Sequence, residues 1–160
     1  MTQIRLTHKV QKAAGFKKSE LVEIRQSDTL LGNWYAHLFI VERRNALIFM
    51  SEQTLFSFLL VGVKKPQFTK LTGLFLSGLQ QALQDEGVSG ANIEQLCVGL
   101  EPIEFTATNN RQALGNLNDL IHCYKSSITH KGGLQHCDLD GIIRALNQMP
   151  QRNLEWGTSS

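Results

Sequence analysis

Two apolar runs separated by four polar residues constrain the fold of this chain more than any other feature. The runs are Trp34–Val41 and Ala46–Met50, and the sequence between them is "ERRN". This arrangement is typical of a β-hairpin, and Asn45 tolerates the left-handed backbone conformation that a tight turn needs. Because both faces of the two strands are apolar, the hairpin is predicted to lie centrally in a sheet, with other elements packed on each side.

Segments with helical patterns flank the hairpin. Helices are predicted over residues 52–61, 67–86, 109–130 and 138–149. Ser51 is a suitable N-cap for the first of them and Asp138 for the last, which Pro150 would end. The longest segment repeats apolar residues at helical spacing from Leu114 to Ile128. These elements predict an α+β fold with a small mixed, mostly antiparallel sheet packed against several helices.

The remaining segments predict shorter elements. "IRLT" (4–7) and "PIEFTA" (102–107) fit short strands, while "HKVQKAAG" (8–15) and "NIEQLCVGL" (92–100) fit short helices. The pattern is weak over residues 16–32, where "KKSELVEIRQSD" (17–28) fits either a short helix capped by Ser19 or an alternating strand. With 160 residues in total, the chain is predicted to form one α+β domain over residues 1–155, followed by a frayed tail over 156–160.

Charge is distributed unevenly along the chain. Residues 1–70 contain eleven Lys and Arg against five Asp and Glu, a balance of +6, and residues 71–160 contain five against nine, a balance of −4. Such asymmetry is found in proteins with a basic face for an anionic partner such as nucleic acid. A basic patch is predicted from Lys17, Lys18, Lys64 and Lys65. The alternative is that the two halves of the sequence intermix on the surface.

The composition favours a soluble cytoplasmic protein. Three cysteines, an odd number at wide spacing, suit free thiols in a reducing compartment better than a disulfide framework. The longest apolar stretches are about half the roughly 20 residues that a membrane span requires. We therefore expect no membrane partner.

Residues 122–140 concentrate two cysteines and three histidines, which raises the question of a metal site. His122 and Cys123 are adjacent, as are His136 and Cys137, whereas zinc ligands are usually paired at a spacing of two to four residues. Neighbours on a helix point about 100° apart and do not readily hold one ion. A site combining His122, His130 and Cys137 would need the last two helices to be antiparallel. The favoured interpretation is packing for the cysteines and a helix end for His130, with no metal.

Catalytic motifs are absent from the sequence. It contains no GxxxxGK[ST], GxGxxG, HExxH or GxSxG pattern, so the common phosphate, dinucleotide, metalloprotease and esterase sites have no support. We identify no catalytic residue and no cofactor, and we leave enzymatic activity open while favouring a non-catalytic role.

Two groups of polar residues are candidates for a ligand or partner surface. Arg43 and Arg44 lie at the predicted turn, where planar guanidinium groups suit phosphate or carboxylate. The second group is Arg111, Asn118 and Asp119 on the longest helix; short Asn and Asp side chains form helices poorly and suggest a defined partner, either a neighbouring loop or a ligand. Gly115 between them is disfavoured in a helix, so close packing against another element is expected there, with a bound ligand as the alternative.

Several blocks of the sequence resemble a known family. The blocks are "LGNWYAHLFIVERRNALIFMSEQTLFSFLL", "NNRQALGNLNDL", "GGLQHCDLDGIIRALNQMP" and "NLEW". They resemble small bacterial proteins that share a domain of unknown function, and the resemblance extends from about Ile4 to Leu154. It implies a compact cytoplasmic protein encoded by an accessory gene on mobile DNA. It transfers no activity, cofactor or catalytic residue.

The resemblance includes positions that had already been singled out. Trp34, Arg43 and Arg44 lie in the hairpin block, and Arg111, Asn118 and Asp119 lie in the helix block. A surface shared by hairpin and helix is therefore predicted. The favoured function is a non-catalytic protein-interaction or self-associating module. The alternatives are a nucleic-acid-binding accessory protein that uses the basic N-terminal half, and a small-ligand binder or enzyme with a pocket near Arg111, Asn118 and Asp119.

Overall fold

The computed structural model describes residues 1–27, 29, 31–108 and 110–148. Five strands form one sheet: β1 (Thr2–Leu6), β2 (Trp34–Val41), β3 (Arg44–Ser51), β4 (Ser57–Val61) and β5 (Ile103–Ala107). Their spatial order is β4-β3-β2-β1-β5. Strand β3 is antiparallel to both of its neighbours, whereas β1 is parallel to both β2 and β5. The predicted α+β class is confirmed, although only half of the strand pairings are antiparallel.

Five α-helices pack against this sheet or against each other. They are α1 (His8–Ala14), α2 (Leu71–Asp85), α3 (Gly90–Leu100), α4 (Arg111–His130) and α5 (Leu139–Asn147). Asn110 caps α4 by accepting a hydrogen bond from the Ala113 N–H, and Asp138 caps α5 in the same way through Gly141. None of the helices in the described part of the chain has the length and apolar content that crossing a membrane requires.

The central position of the hairpin is confirmed, but its turn is tighter than the sequence indicated. Only Glu42 and Arg43 lie between the strands, and both have positive φ angles, 49° and 67°. This combination is typical of a two-residue type I′ turn, whose twist matches that of the flanking strands. Asn45 is not the left-handed residue; it lies in β3, paired with Ile40.

The predicted helix over residues 52–61 is wrong, because this segment forms a turn followed by β4. Ser51 does not begin a helix: its hydroxyl accepts a hydrogen bond from Thr54 and donates one to the Leu31 carbonyl. The apolar run after Leu55 has no clear helical period, and short runs of this kind fit a buried strand equally well. Pairing with β3 satisfies backbone groups that a helix would have left open at the sheet edge.

The other predicted helices are confirmed with shifted ends. The segment over 67–86 divides into a 3-10 helix over Lys65–Lys70 and α2, and α4 and α5 occupy most of 109–130 and 138–149. Residues 109 and 149–160 lie outside the described residues, as do the predicted stop at Pro150 and the tail over 156–160.

Neither alternative for residues 16–32 describes the segment well. A 3-10 helix covers only Lys18–Glu20, and residues 21–27 follow without regular structure. The segment is held instead by side chains of the sheet. Thr106 donates a hydrogen bond to the Val22 carbonyl, and Gln3 donates one to the Glu23 carbonyl.

An aromatic cluster joins one face of the sheet to α2. The Trp34 ring lies 5.1 Å from that of Phe75 and 5.9 Å from that of Phe58, measured between centroids. Helix α2 approaches closely because residue 78 is glycine: a Cβ atom there would lie 2.5 Å from the Phe58 ring. We call this side of the sheet the α2 face.

Helices α4 and α5 cover the opposite face, the α4 face, through a buried polar contact at Ser57. The Asn147 side chain accepts a hydrogen bond from the Ser57 N–H at 2.9 Å and donates one to its carbonyl at 2.8 Å. The hydroxyls of Ser57 and Tyr124 are 2.8 Å apart. Because β4 is an edge strand, Asn147 takes the place of a further strand for these backbone groups.

Replacing Asn147 tests this contact. Asn147→Ala leaves a buried N–H and a buried carbonyl without their partner, so we expect the free energy of unfolding to fall by about 2–4 kcal/mol. Urea denaturation followed by circular dichroism measures the change. The control is Asn118→Ala on an exposed part of α4, for which we expect a change of at most about 0.5 kcal/mol. Equal effects of the two substitutions would contradict this role of Asn147.

Two helical glycines give opposite predictions. Gly78→Ala places a methyl group against Phe58, and we expect a loss of about 1–3 kcal/mol in unfolding free energy.

Gly115 is exposed, and a Cβ atom there would have no neighbour within 4 Å. The close packing expected at Gly115 is therefore wrong, and Gly115→Ala should stabilise the protein by about 0.5–1 kcal/mol. Thermal unfolding of the two variants measures both changes, and a destabilised Gly115→Ala protein would contradict the placement of this residue.

Candidate functional site

The structure does not bring the predicted surface residues together. Trp34 is fully buried on the α2 face. Arg111, Asn118 and Asp119 are exposed on α4, which covers the opposite face of the sheet. Since the sheet lies between them, Trp34 cannot share a surface with the polar residues of α4. Its indole ring packs in the hydrophobic core instead.

The arginines of the turn lie at one end of the sheet together with lysines from two other segments. Strands β1, β2 and β4 run in the same direction, so their carboxyl ends face the same edge of the sheet. The hairpin turn and the residues after β4 therefore lie at this edge, whereas β1 ends at Leu6, level with Ala36, and α1 begins there. A hydrogen bond of 2.8 Å from the Gly62 N–H to the Asn45 carbonyl joins the chain after β4 to the hairpin.

We call six exposed Lys and Arg residues of the hairpin turn, α1 and the segment after β4 the basic end: Lys9, Lys12, Arg43, Arg44, Lys64 and Lys65. Helix α1 packs against the 3-10 helix that begins at Lys65, which draws two of the three segments together. Glu42 is the acidic residue of the hairpin turn, and its carboxylate accepts a hydrogen bond from the Leu134 N–H at 2.8 Å. It is therefore held against the loop between α4 and α5.

Lys17 and Lys18 lie toward the other side of the sheet. They follow Phe16, whose ring packs 5.1 Å from that of Phe105 in the edge strand β5. Lys64 and Lys65 follow β4, which is the opposite edge strand. The four lysines of the predicted patch are exposed, but the fold associates only the second pair with the hairpin.

Acidic residues gather around α5. Partial burial raises the pKa of the Asp140 carboxyl, and the nearby negative charges of Asp85 and Asp138 raise it further. These residues come from the acidic C-terminal part of the sequence.

The cysteines and histidines of residues 122–140 do not converge. Cys123 and Cys137 are half-buried and pack against the core, whereas His122, His130 and His136 are exposed. All three cysteines of the chain are free. Among the residues that the structure describes, no three His, Cys, Asp or Glu side chains are placed as ligands of one metal ion. The packing of Cys123 and Cys137 and the position of His130 in the last turn of α4 agree with the interpretation of these residues as packing and helix-end residues.

His37 lies on the α4 face, next to the basic end. Its Nδ1 atom is 2.8 Å from the Thr7 hydroxyl. Burial lowers the pKa of its imidazole below the ordinary value of 6.5, and the positive charge of Lys9 lowers it further. Both effects favour the neutral form of the imidazole.

A second site, which the sequence did not indicate, lies at the other end of β2. Arg5 is 7% exposed, and its Nη1 atom donates hydrogen bonds to the Tyr35 hydroxyl at 2.9 Å and to Glu52 Oε1 at 3.0 Å. The guanidinium also lies over the Tyr35 ring, 5.4 Å from its centroid. The signal in the sequence was a charged residue inside a strand that is otherwise buried, since arginine is rarely buried without a partner.

A polar cleft of about 230 Å³ lies between this pair and the beginning of α4. Its polar lining consists of Tyr35, Glu52, Asn110, Gln112 and Asn116. Arg111, Asn118 and Asp119, the residues predicted to line a pocket, are not among its lining residues. The cleft therefore lies beside a different part of the α4 surface from the one that the sequence suggested.

Comparison with known proteins assigns the chain to a protein family. No curated protein matches the chain. A family model described as "Domain of unknown function (DUF6933)" matches residues 3–160. This match covers nearly all of the chain, including the hairpin, the basic end and the polar cleft. The protein is therefore a member of the DUF6933 family.

Proposed function

We propose that this protein is a non-catalytic accessory protein that binds nucleic acid through its basic end. The observation that carries the proposal is the exposure of six Lys and Arg residues on three chain segments that contact one another in series: the hairpin, the segment after β4, and α1. A cationic surface of this kind binds phosphate groups through charge and releases counterions from the nucleic acid.

The surroundings of the basic end favour an anionic partner. Residues 1–19 and 62–84 contain no Asp or Glu, so the segments that supply the four lysines supply no opposing charge. The carboxylate of Glu42 is already bonded to the Leu134 N–H. The two arginines provide planar groups that bind a phosphate through two parallel hydrogen bonds.

The shape of the hairpin turn also suits this role. Because the turn has only two residues, Arg43 and Arg44 extend from a rigid ribbon and not from a long loop. Less conformational freedom is then lost when they bind. A surface of this type contacts the backbone of nucleic acid, so the proposal is binding with little sequence preference. The three free cysteines fit a reducing compartment, and we also propose a cytoplasmic location.

Charge reversal at the turn tests the proposal. Arg43→Glu combined with Arg44→Glu should weaken binding to duplex DNA or to single-stranded RNA by about tenfold or more at low salt. The slope of log Kd against log salt concentration should decrease by about two, because two phosphate contacts are lost. Fluorescence anisotropy of labelled oligonucleotides over a series of salt concentrations gives both values.

The matched control is Lys17→Glu combined with Lys18→Glu, which changes the net charge equally on the other side of the sheet. We expect a clearly smaller loss of affinity and a nearly unchanged slope. If the wild-type protein binds neither DNA nor RNA at low salt, or if the two double variants behave alike, the basic end is not a nucleic-acid surface. Circular dichroism verifies that both variants are folded.

One observation favours a second candidate function, self-association or binding of a protein partner. Ile40 is 62% exposed although it lies in a central strand, directly before the basic end. An exposed apolar side chain marks a protein interface when it belongs to a contiguous apolar patch. The sequence alone favoured this function, but a single apolar side chain supports it less strongly than six exposed basic side chains support nucleic-acid binding.

Light scattering after size-exclusion chromatography tests the second candidate. If Ile40 lies in a self-association surface, the wild-type chain of 17.9 kDa should have at least twice its monomer mass at high concentration. Ile40→Ser should restore the monomer. Val98→Ser is the control, since Val98 is 71% exposed on α3. A wild-type monomer at every concentration would exclude self-association through Ile40.

A further inference from the structure

The polar cleft beside α4 has the features of a small-ligand site. We infer that it binds a small uncharged molecule that carries hydrogen-bond donors and acceptors on adjacent atoms. The argument uses residues that are remote along β2 from the hairpin turn. It is therefore independent of the proposed binding of nucleic acid.

The cleft offers both kinds of hydrogen-bonding group. The Tyr35 oxygen accepts a hydrogen bond from Arg5, which leaves its own proton for a group in the cleft. Asn110 uses its Oδ1 atom to cap α4, and its NH₂ group remains a donor. Each oxygen of Glu52 accepts one hydrogen bond, from Arg5 or from the Asn33 N–H, and each can accept another.

The charges at the cleft favour an uncharged ligand. Glu52 is the acidic residue among the lining residues, and its negative charge is compensated by Arg5 at 3.0 Å. The other polar lining groups are one hydroxyl and three side-chain amides, which are neutral. A charged ligand would lose its hydration without meeting an opposite unpaired charge, which is costly.

The size of the cleft limits the ligand to about one ring. Its volume of about 230 Å³ lies below the roughly 300–1,000 Å³ of pockets that hold drug-sized molecules. Met50, Leu55 and Ala113 form its apolar wall, against which the carbon atoms of a ring can pack. Nucleobases and monosaccharides share this combination of a compact ring with adjacent donors and acceptors.

Arg5 is a positioning residue in this account. It lies behind the cleft, and its Nη1 atom fixes the Tyr35 hydroxyl and the Glu52 carboxylate relative to each other. Leu55, at the end of the turn that carries Glu52, has a φ angle of 62°. This conformation is unfavourable for a leucine, and the surrounding structure must hold it in place.

Titrations with simple probes test the inference. Adenine, uracil, ribose and glucose are titrated separately into the full-length protein, and binding is followed by saturation-transfer NMR of the probe. We expect nucleobases or monosaccharides to bind at millimolar concentration or below. Tyr35→Phe and Asn116→Ala should each weaken binding about fivefold, since each removes a hydrogen bond to the ligand. Gln95→Ala, on the exposed side of α3, should have no effect.

The pattern of binding decides among the outcomes. Binding by one class of probe identifies the chemistry of the ligand. Two variants are used, Tyr35→Phe and Asn116→Ala, so that the test does not depend on the folding of a single one. If no uncharged probe binds at millimolar concentration, the inference is wrong. It is also wrong if binding is unchanged in both variants, or if only phosphorylated counterparts such as glucose 6-phosphate bind. None of these results depends on the arginines of the hairpin turn.

Discussion

The burial of both faces of one β-hairpin is the constraint on which the rest of the structure depends. Strands β2 and β3 are apolar on each side, so each side requires its own cover. On the α2 face, Trp34 meets Phe75, and the absence of a side chain at Gly78 allows α2 to approach the sheet. On the α4 face, Ser57 and Asn147 join the edge strand to α5 through buried hydrogen bonds. Because these helices cover both faces of the hairpin, we place the candidate binding surfaces at the ends of the sheet.

The two ends differ in chemistry. Toward the end that holds the turn, basic side chains of the hairpin and of the segment after β4 are exposed, and α1 packs against the latter segment. This arrangement suits a long anionic partner bound through many weak contacts. At the other end, Arg5 is buried, and its charge is compensated by Glu52, whose side chain is exposed at the surface. The Arg5 guanidinium is bonded to both Glu52 and the Tyr35 hydroxyl, and it holds these two groups in place. We therefore propose a polymer for the first end and a small uncharged molecule for the second.

Local sequence patterns correctly predicted those elements whose residues favour the same conformation, helix or strand, that their place in the fold requires. The hairpin consists of two apolar runs around a short polar turn, and α4 has a clear helical period. The caps Asn110 and Asp138 use side-chain chemistry that can be read from the sequence. The segment over 52–61 was misassigned because its apolar run has no distinct period and the open edge of β3 decides its conformation. Trp34 was misjudged for a related reason: an aromatic residue near polar ones in sequence can lie on the buried face. The polar cleft could not be predicted, since Arg5, Tyr35 and Glu52 are far apart in sequence and only the strand order brings them together.

The central functional claim is that nucleic acid binds at the edge of the sheet where the hairpin turns. The most direct measurement is a chemical-shift map of the ¹⁵N-labelled protein titrated with a short DNA duplex at low salt. The account predicts that the largest shift changes occur at the backbone amides of Lys9, Lys12, Arg43, Arg44, Lys64 and Lys65, and that added salt reverses them. Shift changes centred on Lys17 and Lys18, or on the exposed side of α3, would contradict it, as would a spectrum that the duplex leaves unchanged.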